Sequence, residues 1–457
     1  MEKGTRIREI SKIIKQDPLG KQEIMWQDEL VTMPVYKIPL KYLLYNKYNG
    51  RILSRTKSLE SQKIKINPES EAGKKTIEKL LWDSKIDRNK RTKEDMEKYG
   101  QKKVGIITRD GIIIDGNRRA MILNRIEKFD YFKAVVLPVT LEENPTEIEK
   151  LETSYQMGED EKLDYNPIEK YLKSKNLKQK NIDTNTIAAW MGQSSSIVEG
   201  YLDVMKIMDD YLDYLDYKDM YTQLDNREDL FISLTKWVNT FYGEKSTKAF
   251  DGYKDSDVDD LKIIAFDYIR ARYEGKNFRS IADGLKDKHM FGNKVIWEFF
   301  KHNHFKNISP IYKNEKKVNL KSANLTSTLN DRDENFRLEV LTLLDDGLND
   351  GKSKVDNQIH KNEPEKLITK AIDSLNVAKN NRNINRRDVT ERLEKLNEMT
   401  NTILSKDSPD LLLKNILKLL RLFKIGGDTK GEGALLGLIN EIEKETFQIK
   451  KIIKQDK

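Results

Sequence analysis

The residues best suited to chemistry are Asp115-Gly116-Asn117-Arg118-Arg119, which end a pair of apolar runs and open a helical pattern between Val104 and Leu123. Gly116 stands where a strand must hand over to a helix. A missing Cβ there lets the backbone turn sharply and approach a ligand closely. The first amides of the new helix, with its dipole, favour an anion. Arg118 and Arg119 add forked donors suited to phosphate oxygens, and the expected geometry has both guanidinium groups converging with those amides on one basic concavity. An ordinary polar turn with exposed arginines is the alternative.

The elements that must position this turn can be read on either side of it. Val104 to Leu123 reads as strand, hairpin turn at Arg109-Asp110-Gly111, strand, tight turn and helix. Residues 1–32 read as a basic helical lead-in. Val35 to Leu44 alternates as a strand and ends in the loop Tyr45-Asn46-Lys47-Tyr48-Asn49-Gly50-Arg51. Arg51 is a second candidate phosphate or DNA contact, or an exposed loop arginine. One or two helices follow over 68–99, and Phe132 to Val139 reads as another strand.

From Pro145 the pattern becomes helical. Asn166 is placed to cap a helix whose first position, Pro167, needs no N–H. Asp183 to Leu202 then reads as a helix-turn-helix: Asp183 or Thr184 caps the first helix, Gly192 makes the turn, and Ser194 or Ser195 caps the second. Ile187, Ala188, Met191 and Val198 face inward. The second helix presents Gln193, Ser194, Ser195, Ser196 and Glu199, which can reach base edges but bring no cation. Phosphate anchoring falls to flanking lysines, chiefly Lys178 and Lys180, with Lys173, Lys175 and Lys206.

Gly116-Asn117-Arg118-Arg119 after a β-hairpin resembles the Gly-x-Arg-Arg turn of the ParB N-terminal domain, a fold shared with sulfiredoxin. Asp115-Gly116 is also similar to the Asp-Gly-Gln-Arg-type domains of bacterial DNA-modification and phage-defence systems. The loop closing on Arg51, the Asn166-Pro167-Ile168-Glu169 segment and the following helix pair occur in the ParB order, so the resemblance spans about residues 33–205. It implies a nucleoside triphosphate, CTP or ATP with Mg2+, held at Gly116, Asn117, Arg118, Arg119 and Arg51. The family's Glu-Asn pair, which holds the metal, is matched poorly: Glu152 and Gln156 lie nearby with the spacing off by one, and Thr153 replaces the Asn. Glu152 is the metal-ligand candidate.

Bulk properties bound the rest. Charged residues make up 35% of the 457, against about 25% in ordinary soluble domains. No run of about 18 apolar residues exists to span a membrane, and the N-terminus lacks an apolar signal core. A soluble, cytoplasmic protein is expected. With no cysteine, disulfides, thiolate metal sites and sulfiredoxin's own chemistry are excluded. Residues 1–134 hold 31 Lys+Arg against 19 Asp+Glu, a net +12, whereas 201–230 hold 3 against 9. Such segregation suits a polyanion on one face and something else on another.

The expected architecture is α+β: a helical lead-in (1–32), a small mixed ParB/sulfiredoxin-like domain (33–143), a helix-turn-helix domain (144–207), an all-helical middle domain (208–312), a linker-rich segment (313–362) and a helical C-terminal domain (363–457). The acidic, tyrosine-rich stretch 208–221 reads as a helical core stripe or a partner-docking surface. His289, His302 and His304 read as surface or helix-end residues. Leu411 to Phe423 is expected to fold back as a core helix or pair with a second copy, and 426–437 to form a mobile glycine turn.

The function expected is a DNA clamp, regulator or defence component that binds double-stranded DNA as a homodimer under nucleotide control, with the C-terminal half open to a protein partner and no membrane contact. The alternatives are an enzyme on the same fold, a nuclease or small-molecule kinase with Asp115 and Glu152 as catalytic carboxylates, and a non-catalytic scaffold.

Overall fold

The computed structural model describes the chain except residues 159–165, 242–245, 275, 316–324, 362, 382–384, 408, 423–431 and 456–457. The fold is mixed α+β, a five-stranded sheet followed by helices. It divides into two units, Met1–Asn362 and Glu363–Lys457.

The strands are β1 (Gly20–Trp26), β2 (Glu29–Pro39), β3 (Gly105–Ile107), β4 (Ile113–Asp115) and β5 (Tyr131–Val136), in the order β1-β2-β5-β3-β4. β3 and β5 run parallel; the other neighbours are antiparallel. Successive side chains of a strand point to opposite faces, and this sorts the core. Tyr36, Ile38, Ile107, Ile113, Phe132 and Ala134 pack under the helices Glu71–Asp83, Ile86–Tyr99 and Asn117–Leu123. Val35, Ile106, Ile114 and Val135 pack on the other face against Ile148 and Leu151 of the helix Pro145–Thr153. The turn at Gly116 therefore leaves the sheet between two buried layers.

Residues 1–32 are not wholly helical. Lys3–Ile13 is a helix, but β1 follows it. Only Ile24 and Trp26 of β1 are buried, so its sequence shows little of the alternation that marks a strand. Gln27 and Asp28 turn the hairpin with φ of 54° and 65°, the left-handed pair that matches strand twist but is usually written Asn-Gly.

Beyond the sheet, the helix Ser195–Tyr214 runs through the boundary expected at 207–208. Tyr211, Leu212, Leu215, Tyr217 and Tyr221 enter a helical core with Phe231, Leu234, Trp237, Phe266, Ile269 and Trp297, so the tyrosine-rich stretch is core. The linker-rich segment expected over 313–362 is largely replaced, among the described residues, by helix: Leu325–Ile359 is one helix of 35 residues. Its buried stripe of Leu329, Phe336, Val340, Leu344, Leu348 and Val355 is narrow, and the polar remainder dominates its composition. His289 and His304 are buried, not on the surface; His304 Nε2 lies 2.8 Å from Asp267 Oδ2, and only His302 of the three is exposed.

In Glu363–Lys457 the helices are Pro364–Lys379, Arg386–Asp407, Pro409–Leu422 and Glu432–Gln455. None of its described side chains is buried, and Leu413, Ile416, Leu417 and Leu420 of the apolar run are exposed instead of forming a core. Phe423 and residues 426–431 of the expected glycine turn lie outside the described residues, and the rest of that turn belongs to the helix Glu432–Gln455. Among the described residues no helix is long and apolar enough to cross a membrane.

One buried ion network clamps the helical core. Asp333 (2% exposed) accepts hydrogen bonds from Arg227 Nη2 at 2.7 Å, Arg270 Nε at 3.0 Å and the Tyr217 hydroxyl at 3.0 Å. Removing its carboxylate leaves buried Arg227 without an anion and Arg270 with Glu315 alone. Asp333→Ala is expected to lower the unfolding free energy by about 3–5 kcal/mol, read from the denaturation midpoint; a loss under about 1 kcal/mol would show that water reaches the arginines.

Candidate functional site

At the turn, Gly116 has φ +106° and precedes the helix Asn117–Leu123, which receives no side-chain cap. A Cβ on Gly116 would sit 2.6 Å from the Phe132 ring, so both its conformation and its space require glycine. Asn117 is buried and faces inward: its Nδ2 donates to the Ile113 carbonyl at 3.0 Å and its Oδ1 accepts from the Asn46 amide at 2.9 Å.

The two arginines do not converge. Arg118 donates to Asn89 and to Thr92 Oγ1 on the helix Ile86–Tyr99. Arg119 donates to the carbonyls of Lys103 (2.6 Å) and Val104 (3.1 Å) and to Asp115 Oδ2 (2.5 Å). Adjacent helical residues point about 100° apart, which is the physical reason the expected shared concavity is not formed by this pair. Asp115 is correspondingly engaged as the ion-pair partner of Arg119.

What does converge is a polar hub under the loop 45–51. Asn46 Nδ2 donates to Glu152 Oε1 at 2.8 Å, while Gln156 Nε2 donates to the same oxygen at 3.0 Å and to the Ile114 carbonyl at 3.2 Å. Gln156 Oε1 accepts from the Gly50 amide at 2.8 Å. Lys173, expected among the DNA-flanking cations, is buried instead, 3.0 Å from Glu149 and 3.6 Å from Glu152. Burial pushes the Glu152 carboxyl up, against the pull of Lys173. Glu149, with Lys173 and Lys180 both beside it, is held low despite its burial. The Asn-rich loop in the sequence signals turns; its bond to Glu152 has no sequence signal, because 106 residues separate them.

Glu152 does not fit a magnesium ion. Asn46, Gln156 and the Lys173 ammonium already surround its carboxylate, and among the described residues no group of three His, Asp or Glu is placed to hold a metal.

Arg51 stands apart from the turn, on a cleft it lines with Arg55, Asn166 and Glu169. Glu169 closes the Asn-Pro-Ile-Glu segment and is buried, its oxygens accepting from the Ser54 amide at 2.9 Å and the Ser54 hydroxyl at 2.6 Å. Burial pushes its carboxyl up to about 7, against the Ser54 hydrogen bonds and nearby Arg55.

The helices Thr184–Met191 and Ser195–Tyr214 are joined at Gly192, φ +63°. Asp183 caps the first and Ser194 the second. Ile187, Ala188, Trp190, Met191 and Val198 pack together with Met157. Ser194 is thus used as a cap and Ser195 donates to Asn185 at 2.6 Å, leaving Ser196 exposed and Gln193 half-exposed. Of the flanking lysines, Lys178 is exposed and donates to Thr184 Oγ1 at 3.3 Å, Lys180 is exposed but paired with Glu149, and Lys175 is paired with Asp209.

Two outcomes follow from the buried charges. Lys173→Met leaves buried Glu152 without a cation and Glu149 with Lys180 alone, and is expected to reduce stability by about 3 kcal/mol; an unchanged melting temperature would contradict the hub. Glu169 has a folded value raised from 4.5 to about 7, so it favours the folded state at low pH and this contribution is lost as pH rises through 7. The unfolding free energy of wild type minus that of Glu169→Gln is expected to fall by roughly 3 kcal/mol across that window and to be flat above it. A difference independent of pH would refute the assignment.

No family model and no curated protein matches the chain. Among solved structures, it is similar to the C-terminally truncated chromosome-partitioning protein ParB from Caulobacter crescentus complexed with CTP-γ-S, with 14% identity, covering 44% of this chain and 92% of that one, at a TM-score of 0.17. A likeness at that score does not establish a shared fold.

Proposed function

We propose that the chain is a ParB-like DNA-binding protein controlled by a nucleoside triphosphate, CTP or ATP, bound at the Gly116–Arg119 turn beneath the loop 45–51. The observation that carries this is the double engagement of Asn46: its amide holds Asn117 of the turn and its side chain holds Glu152. Three segments remote in sequence, each part of the ParB-like pattern, meet at one residue. Arg119 of the turn has a carboxylate partner that a phosphate can replace with like geometry.

The same hub supplies a route to DNA. Residues Ser154–Gly158 form one π-helical turn, a local distortion common at functional sites. Gln156 of that turn holds the loop at Gly50, and the next residue, Met157, packs among Ile187, Trp190 and Val198 of the helix pair. A shift of the loop on nucleotide binding therefore moves a residue in the core of the DNA-contacting unit. In that unit Gln193 and Ser196 would meet base edges, with Lys178 on phosphate. No observation favours the enzyme reading, since Asp115 and Glu152 are each engaged by a cation.

Titration calorimetry with CTP, ATP, GTP and UTP, with and without duplex DNA, tests the proposal. One of CTP or ATP is expected to bind, with affinity at least tenfold weaker in Arg119→Ala and altered by duplex in the wild type. Absence of binding to all four, or full affinity in a folded Arg119→Ala protein, would sink it.

A further inference from the structure

A cleft of about 1320 Å³ is lined by Arg51, Arg55, Lys85 and Asn166–Glu169, by Asp225–Leu230 and by Arg272, Tyr273, Lys276 and Phe278. Neither the turn 116–119 nor Glu152 lines it. Its volume exceeds the roughly 300–1,000 Å³ of ordinary small-ligand sites.

The floor is rigid. Arg55 lies 3.6 Å from buried Glu169 and 3.3 Å from Asp225, whose other oxygen accepts from Asn166 Nδ2 at 2.7 Å. Its guanidinium is therefore fixed in orientation, a quarter exposed to the cleft. The rim differs in kind. Lys85, Arg272 and Lys276 are exposed and have no ion-pair partner among the described residues, though Asp229 and Glu274 line the same cleft. Two residues of the same wall, Asn226 and Arg272, hold left-handed backbone with φ of 62° and 50°. For Arg272 this is the left-handed stop of the helix Asp255–Arg270, with the Tyr273 amide donating back to the Tyr268 carbonyl at 3.0 Å, and it fixes the backbone from which the Arg272 side chain leaves. The wall's rings, Tyr273 and Phe278, are buried, so no aromatic face is offered for base stacking.

We propose that this cleft is a second site, for a small organic polyphosphate gripped through its phosphates by Arg272, Lys276 and Lys85 against the oriented Arg55. Forked guanidinium donors suit phosphate oxygens, and Asp225 and Glu228 on the same lining accept hydroxyl or amino groups from the ligand's other end. The site goes beyond the triphosphate at the turn and does not require it.

Inorganic tripolyphosphate, titrated into the full chain and into Arg119→Ala, tests this. Arg119→Ala is expected to keep one tripolyphosphate site, and adding Arg272→Ala with Lys276→Ala to weaken that site at least tenfold with the circular dichroism unchanged. If the turn binds nothing, the wild type shows this one site alone, indifferent to Arg119. The proposal is overturned if Arg119→Ala binds no tripolyphosphate, or if the Arg272–Lys276 variant binds it as tightly as its parent. It is equally overturned if the pair of substitutions abolishes only duplex DNA binding, which would make this wall a nucleic-acid surface.

Discussion

The arrangement depends on buried polar groups having partners. Asn117, Glu152 and Gln156 are buried and Asn46 half-buried, and an unmatched buried donor or acceptor costs about 1–3 kcal/mol. Each is matched by another: the Asn46 amide by Asn117, its side chain by Glu152, and the Gly50 amide by Gln156. The loop 45–51, the sheet-to-helix turn and the π-helical turn at 154–158 are consequently one mechanical unit. None can move without breaking bonds in the other two.

Charge is handled by the same rule. The two glutamates of the helix Pro145–Thr153 that point inward are answered by Lys173 from the next helix, so an ammonium stands where a divalent cation would otherwise be needed. In the helical core, Asp333 and Glu315 answer Arg227, Arg270 and Arg332. Paired in this way, buried ions hold one geometry, because any alternative leaves a charge uncompensated. Lys85, Arg272 and Lys276, which line one cleft, are among the exposed cations that the protein itself does not neutralise.

Much of the fold was legible from local pattern. The hairpin, the Gly116 turn, the helix after it, the Asn166 cap and the helix pair around Gly192 all rest on interactions between near neighbours: period-two alternation, caps and left-handed glycines. β1 was not legible, because half of an edge strand is exposed and its pattern does not alternate. The helix Leu325–Ile359 read as linker because its buried stripe is thin beside its polar faces. The candidate site was legible in which segments matter, and not in which side chains meet.

The sequence by itself determined the hairpin and turn that lead into the helix Asn117–Leu123, the caps and turn of the helix pair around Gly192, and that glycine must occupy position 116. Those outcomes depend on dihedral sterics and on neighbours within a few residues. Only tertiary structure decided that Arg118 and Arg119 part company, that Lys173 turns inward to Glu149 and Glu152, and that Asn46 joins Asn117 to Glu152. Apart from the Arg119–Asp115 pair, these contacts join residues well separated in the chain, selected by which buried charge or hydrogen-bonding group would otherwise be left without a partner.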